Sequence, residues 1–307
     1  MGYSRWDQNT YAAYASAATS TLSVARSKGM SDTAARRTLF KESGIKPEFN
    51  PRNIICRESR DSDLNPCSTP IIIGVDVTGS MGLYAEKLAV EGLGKLVDGI
   101  LTRKPVSDPH IMAMAIGDVF CDQAPLQASQ FESDIRIAEQ LTGLYLEAGG
   151  GGNGFESYDI PWLFAATKTS TDAWEKRQKK GYIFTIGDEP PPDAAVSAYQ
   201  LNQLFGSGFE TGYTPAQMLA MAQERYQVFH VIVEQGSHYR HSGADVTAKW
   251  QKLLGARALH LSDANYLSEV IISAMQISET EASNADEIIN SWEDPAIINV
   301  LKHAFGQ

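Results

Sequence analysis

Apolar residues come in short β-branched runs, separated by longer stretches in which they recur every three to four positions. Ile71-Ile72-Ile73-Gly74-Val75, Ile111 to Ile116, Tyr182-Ile183-Phe184-Thr185-Ile186, 228–233 and Ala258–Leu261 have the length and bounding turn residues of buried strands. Between them, helical spacing predicts helices over about 83–101, 132–141, 156–167, 194–205, 215–226 and 245–254, with two more at the C-terminal end. Near-continuous apolar strands alternating with helices predict an α/β fold: a Rossmann-like, doubly wound, mainly parallel sheet flanked by helices.

The pattern is different before residue 70. Residues 10–26 are rich in Ala, Ser and Thr, with Tyr11, Tyr14, Ala18, Leu22 and Ala25 at helical spacing. A second short helix starts at a Ser31 or Asp32 cap and stops at Gly44. Pro47, Pro51, Pro66 and Pro70 then disfavour helix around the mixed-charge run Arg57-Glu58-Ser59-Arg60-Asp61-Ser62-Asp63. The expected organisation is an N-terminal arm over 1–69, an α/β domain over 70–278 and a helical extension over 279–307. The arm is expected to pack on the domain.

Composition narrows the function classes. Among 307 residues, 43% apolar and 21% charged side chains match a globular chain, which excludes wholesale disorder. A net charge of −11 argues against nucleic acid as partner, because a phosphate backbone would be repelled. The first seventy residues run against that balance, with ten Lys/Arg and seven Asp/Glu, so a basic arm precedes an acidic domain. No apolar run approaches the ~18 residues of a membrane span, and Met1-Gly2-Tyr3-Ser4-Arg5-Trp6-Asp7 lacks the apolar stretch of a signal peptide. Cys56, Cys67 and Cys121 are odd in number and form no CxxC pair, which speaks against a disulfide framework or a structural zinc site. A cytoplasmic, reducing setting is expected.

In a doubly wound sheet, ligands bind beyond the carboxyl ends of the strands. Three loops bring small oxygen ligands there. Asp76-Val77-Thr78-Gly79-Ser80 follows the first strand, Asp188 follows the strand at 182–186, and the Gly-rich loop 149–154 leads to Asn153, Glu156 and Ser157. Hydroxyls and carboxylates without Cys or His suit a hard cation such as Mg²⁺.

These residues resemble the von Willebrand factor A (vWA) domain family, in its intracellular prokaryotic or phage-type members. That family carries a metal-ion-dependent adhesion site (MIDAS) made of a DxSxS motif after strand one, a Gly-rich second loop and an Asp after the fourth strand. Ile71 to Met81 matches the first element, with Thr78 in place of the first Ser. Gly151-Gly152-Asn153-Gly154-Phe155-Glu156-Ser157 is similar to the GGGDxPE variant of the second, and Phe184-Thr185-Ile186-Gly187-Asp188-Glu189 matches the third. The resemblance covers about residues 70–275.

The resemblance implies Mg²⁺, with Mn²⁺ as substitute, held by Thr78 and Ser80, with Asp76 and Asp188 retaining waters and orienting the hydroxyls. It implies Asn153 or Glu156 as the second-loop ligand, where the family uses Thr. It also implies an open position that captures an acidic side chain of a partner protein. Intracellular relatives work with AAA+ ATPases of the MoxR type or within larger assemblies, and the expected role is a non-catalytic adaptor.

Blander readings of the same residues exist. Asp76 and Ser80 could cap a helix, Glu156 could be a first-turn acid at a helix N-terminus, the glycines could be a connector, and Glu189 reads as a solvated loop charge. Thr78-Gly79-Ser80-Met81-Gly82 also looks like a degraded nucleophile elbow, with Asp188 and His230 or His260 in hydrolase order, but a β-branched Thr does not fit so tight a turn. A haloacid-dehalogenase phosphatase lacks its second Asp at Thr78, and the Gly run lacks the Lys-Ser/Thr of a P-loop. Histidines inside strand patterns read as structural. The competing non-enzymatic class is an assembly component that keeps the fold as scaffold and uses the N-terminal arm and C-terminal helices for contacts, so the arm is the alternative element for binding a protein partner.

Overall fold

The computed structural model describes residues 5–87, 92–146, 155–280 and 285–306, with the side chains of Ser80 and Gly82 outside the description. Its centre is a six-stranded sheet of β2 (Thr69–Asp76), β3 (Pro109–Ile116), β4 (Leu126–Ala128), β6 (Gly181–Gly187), β7 (Tyr226–Val233) and β8 (Ala258–Leu261). The strand order is β4-β3-β2-β6-β7-β8, and every pairing is parallel except that of the edge strand β4 with β3. Counted within this sheet, the order is 3-2-1-4-5-6, that of a doubly wound α/β fold with its reversal beside β2. The architecture is a mixed α/β fold with a mainly parallel central sheet flanked by helices.

All eight residues of β2 are buried, as expected for a strand covered on both faces. Their side chains alternate: Ile71, Ile73 and Val75 enter one apolar layer, Ile72 the other. The first layer is closed by α4 (Leu93–Arg103), α5 (Arg136–Thr142) and α11 (Leu267–Glu279), the second by α6 (Ile160–Lys168), α9 (Pro215–Gln223) and α10 (Ser237–Leu254).

The arm folds onto the first layer. In α1 (Gln8–Ser27), Tyr11 is buried against Gly94 of α4, where any Cβ would overlap its ring. The Tyr14 hydroxyl lies 3.2 Å from the Ala138 carbonyl and 3.0 Å from Thr142 Oγ1 in α5. Arg26 reaches Glu86 at 2.8 Å, so basic arm meets acidic domain. After α2 (Asp32–Leu39), the mixed-charge run forms β1 (Arg57–Ser59), which pairs in parallel with β5 (Thr169–Thr171). This two-stranded sheet was not expected, because its residues are polar and carry no apolar pattern, although most of them are buried.

Helix starts differ from the sequence expectation where side chains intervene. α6 begins at Ile160, not near 156, with Pro161 in its first turn; proline is tolerated there but not five residues into a helix. α8 (Ala198–Phe205) begins after a capping box of Ser197 and Gln200. Beyond β8 the described residues form three α-helices where two were expected. α11 is followed by α12 (Ala285–Asn290) and α13 (Pro295–Ala304), the last restarted by an Asp294 cap and Pro295.

Candidate functional site

β2 ends at Asp76, and the chain turns immediately. Asp76 Oδ1 accepts from the Thr78 backbone N–H at 2.8 Å and from its hydroxyl at 2.7 Å, which ties the DxT segment into a tight turn. Asp76 Oδ2 accepts from the Tyr158 hydroxyl at 3.0 Å. Asp76 therefore organises the loop and does not cap the following helix. A 3-10 turn, Gly79–Met81, then leads into α3 (Gly82–Lys87) and contains Ser80.

Glu156 comes to the same point from the other side. Its Oε1 lies 3.2 Å from Thr78 Oγ1, while its Oε2 is buried without a hydrogen-bond partner. The Thr78 hydroxyl has one hydrogen and two carboxylates within reach, so it serves one of them at a time. Glu156 is not a first-turn acid: it lies four residues before α6 and is 1% exposed. Ser157 holds that approach, donating to Asp118 Oδ1 at 3.0 Å and accepting from the Val119 N–H at 2.9 Å. Asn153 lies outside the described residues.

Asp188 follows β6. Its Oδ2 accepts from the His238 N–H at 2.8 Å, in the first turn of α10, where the helix N-terminus favours an anion. Gly236 presses on Asp188 so closely that a Cβ would collide with its carboxyl group. Gly187 does the same to the Tyr158 hydroxyl. These two glycines allow the loops to meet.

Burial drives the Asp76 carboxyl upward; hydrogen bonds from Thr78 pull it back, and Asp188 adds repulsion. Burial raises Glu156 further, with Asp76 and Glu189 adding to it. Glu189, expected in solvent, is instead half-buried, and burial together with Asp76 and Asp188 pushes it up to about 8. Among the described residues, no Lys or Arg forms an ion pair with Asp76, Glu156 or Asp188.

This donor set fits a hard divalent cation. It offers carboxylate and hydroxyl oxygens only, with Asp188 raising Asp76 and Asp76 raising Glu156, and one buried Glu156 oxygen is left without a partner. Thus Asp76 and Glu156 are joined through Thr78, and Asp188 is near enough to repel Asp76. Sequence reasoning missed Tyr158 and the bracing role of Asp118. Tyr158 sits two residues past Glu156 in no motif, and only the strand-end position of Asp118 hinted at a role.

No protein-family model matches the sequence, and no curated protein matches it either. Solved structures do match in shape. The pilus adhesin SpaC from Lactobacillus rhamnosus GG, in an open conformation, aligns over 76% of this chain and 31% of its own, with 10% identity and a TM-score of 0.47. A von Willebrand factor type A protein from Catenulispora acidiphila aligns over 69% and 43%, with 15% identity and a TM-score of 0.37. Proximal thread matrix protein 1 from the mussel byssus aligns over 73% and 49%, with 11% identity and a TM-score of 0.42. The chain spans about a third to a half of the length of these proteins.

His230, the other half of the hydrolase reading, is fully buried. Its ring stacks on Trp250 at 3.6 Å, meets Tyr158 edge-on, and its Nδ1 lies 2.8 Å from Thr185 Oγ1. Burial keeps it neutral, well below the usual imidazole range. It fills the second apolar layer, as a structural histidine does. Among the described residues, no helix is long and apolar enough to cross a membrane.

Proposed function

We propose that the chain is a Mg²⁺-dependent protein-binding module that acts by recognition rather than catalysis. The observation that carries this reading is the meeting of Asp76, Thr78 and Glu156 with no basic partner and one buried, unpaired carboxylate oxygen. Asp76, Thr78, Glu156 and Asp188, with Ser80 and Asn153 as further candidates, would hold the cation. The cation would supply positive charge at the sheet edge, to which an acidic side chain of a partner protein can add.

The surroundings support docking of a protein. Phe120 and Leu83 are exposed next to this edge, at 38% and 39%, and Phe120 meets Phe155 edge-on at 5.9 Å. Exposed aromatic side chains such as Phe120 are of the kind enriched in protein–protein interfaces. The arm, by contrast, buries Tyr11, Ala18, Leu22 and Ala25 within the molecule, so the metal edge is the better docking site. An AAA+ ATPase of the MoxR type is one class of partner that this reading admits.

Calorimetric titration of Mg²⁺ and Mn²⁺ into metal-stripped protein tests it. Wild type should bind one ion at this edge and Asp76→Ala should lose it while keeping its circular dichroism spectrum. Equal affinity in both proteins would sink the assignment.

A further inference from the structure

A second group of ligating side chains lies away from the DxTxS turn and has a different chemistry. Glu234 immediately follows β7, His260 lies in β8, and His303 is in the last turn of α13. His260 Nδ1 is 2.8 Å from Glu234 Oε1, and His303 Nε2 is 2.9 Å from the same oxygen. The two rings stand 5.6 Å apart at 64°, and all three ligand atoms lie within 4.8 Å of one another. The Tyr239 hydroxyl, on α10, is 3.3 Å from that oxygen and 3.2 Å from Thr247 Oγ1, so the carboxylate is held in place from behind.

We propose that Glu234, His260 and His303 form a binding site for a borderline transition-metal ion, Zn²⁺ above all. Two imidazoles and one carboxylate are a ligand set that zinc accepts with a fourth position left to water, whereas Mg²⁺ prefers oxygen alone. The two nitrogens now meet the carboxylate oxygen at hydrogen-bond distance. Zn–N and Zn–O bonds of about 2.0–2.1 Å in a tetrahedron separate ligand atoms by roughly 3.4 Å, so each nitrogen moves about 0.5 Å away from the carboxylate oxygen. His303 is half-exposed in the final turn of its helix and can supply that movement. Zn²⁺ takes the place of the imidazole protons that now face Glu234. The ion joins the end of β7, the edge strand β8 and the C-terminal helix α13, which are 69 residues apart at the extremes.

This site uses no cysteine. Residues 234, 260 and 303 have no motif spacing, and only the fold brings them together.

The test uses the whole chain in excess Mg²⁺, which keeps the DxTxS edge supplied. Zn²⁺ binding is measured by competition with a chromophoric chelator, and Co²⁺ is used as a spectroscopic substitute. Wild type and Asp76→Ala should each bind one Zn²⁺, with Co²⁺ giving the intense visible bands of a tetrahedral site. His303→Ala and Glu234→Gln should weaken binding by more than about 100-fold, since even the loss of a group supporting a ligand costs about 10–100-fold. His303 is exposed enough for its truncation to leave folding intact, which the circular dichroism spectrum checks. Wild type that binds no stoichiometric Zn²⁺, affinity unchanged in His303→Ala, or loss in Asp76→Ala instead would each overturn the proposal.

Discussion

The two ends of the sheet use the same residue types in opposite ways. At the amino ends of the strands, Asp61 lies 2.7 and 3.1 Å from the two terminal guanidinium nitrogens of Arg177, and Arg60 meets Glu58, Asp172 and Glu175. Hydrogen bonds from Arg177 and Ser68 outweigh the desolvation of Asp61 and hold its carboxyl far below the usual range. At the carboxyl ends, Asp76, Glu156, Asp188 and Glu189 crowd together, and burial pushes Asp76, Glu156 and Glu189 up. One end neutralises its charge within the chain and gains order from it. The other leaves anions unbalanced, an arrangement that costs stability until a proton or a cation arrives.

The largest expected effect comes from closing the space in which the carboxyl-end loops meet. Gly187→Ala puts a methyl group onto the Tyr158 hydroxyl, which must then leave Asp76. Overpacking of about 1–3 kcal/mol and a broken buried hydrogen bond of about 1–3 kcal/mol together predict a loss near 4 kcal/mol, read by urea unfolding. Mg²⁺ binding should fall with it. A variant as stable as wild type would mean that Tyr158 is not locked between the two loops.

That dependence on Tyr158 also marks where the sequence stops being legible. The strands could be read because Ile71 to Val75 or Tyr182 to Ile186 bury both faces, so hydrophobicity alone reveals them. Asp76, Thr78, Glu156 and Asp188 could be read as candidates because strand ends in this fold converge. Tyr158, Gly236 and the Glu234–His260–His303 group could not, since their contacts cross 26 or more positions of chain and depend on the packing of loops, α10 and α13. β1 and β5 were hidden for another reason. They pair through the backbone, with Arg57 reaching the Glu48 and Ala128 carbonyls, and Arg57-Glu58-Ser59 has no apolar pattern to show.

The amino end should reveal itself through pH. His110 opens β3, is fully buried, and its Nδ1 lies 3.1 Å from Ser59 Oγ. Burial holds it down at about 4, with Asp108 and Asp61 pushing weakly the other way. Between pH 6.5 and about 4 the unfolded chain takes up a proton that the folded chain refuses, so stability falls as pH drops through that window and levels off below it. A shift of this size predicts about 3 kcal/mol at most. The measurement is unfolding free energy against pH for wild type and His110→Asn. Carboxylates are common to both proteins, so the difference between the curves isolates the imidazole, and parallel curves would show that His110 titrates freely.

The smallest effect is the most discriminating, because its sign reverses the usual outcome of removing a buried charged side chain. Glu156→Gln keeps the shape and a polar group beside Thr78 but removes one anion from the carboxyl end. A carboxyl raised by burial and by Asp76 contributes stability below its unfolded value near 4.5 and loses it as pH rises, so at neutral pH the charge opposes folding. In chelator, Glu156→Gln should therefore be more stable than wild type, by about 1 kcal/mol. In saturating Mg²⁺ the order should invert. An ion at 100 times its dissociation constant stabilises the wild type by about 2.7 kcal/mol, and the variant should gain much less. Thermal unfolding of both proteins with and without Mg²⁺ reads all four states. If the variant is less stable in chelator, Glu156 belongs with Asp61 as a structural charge, and the contrast between the two ends of the sheet fails at the residue where it is sharpest.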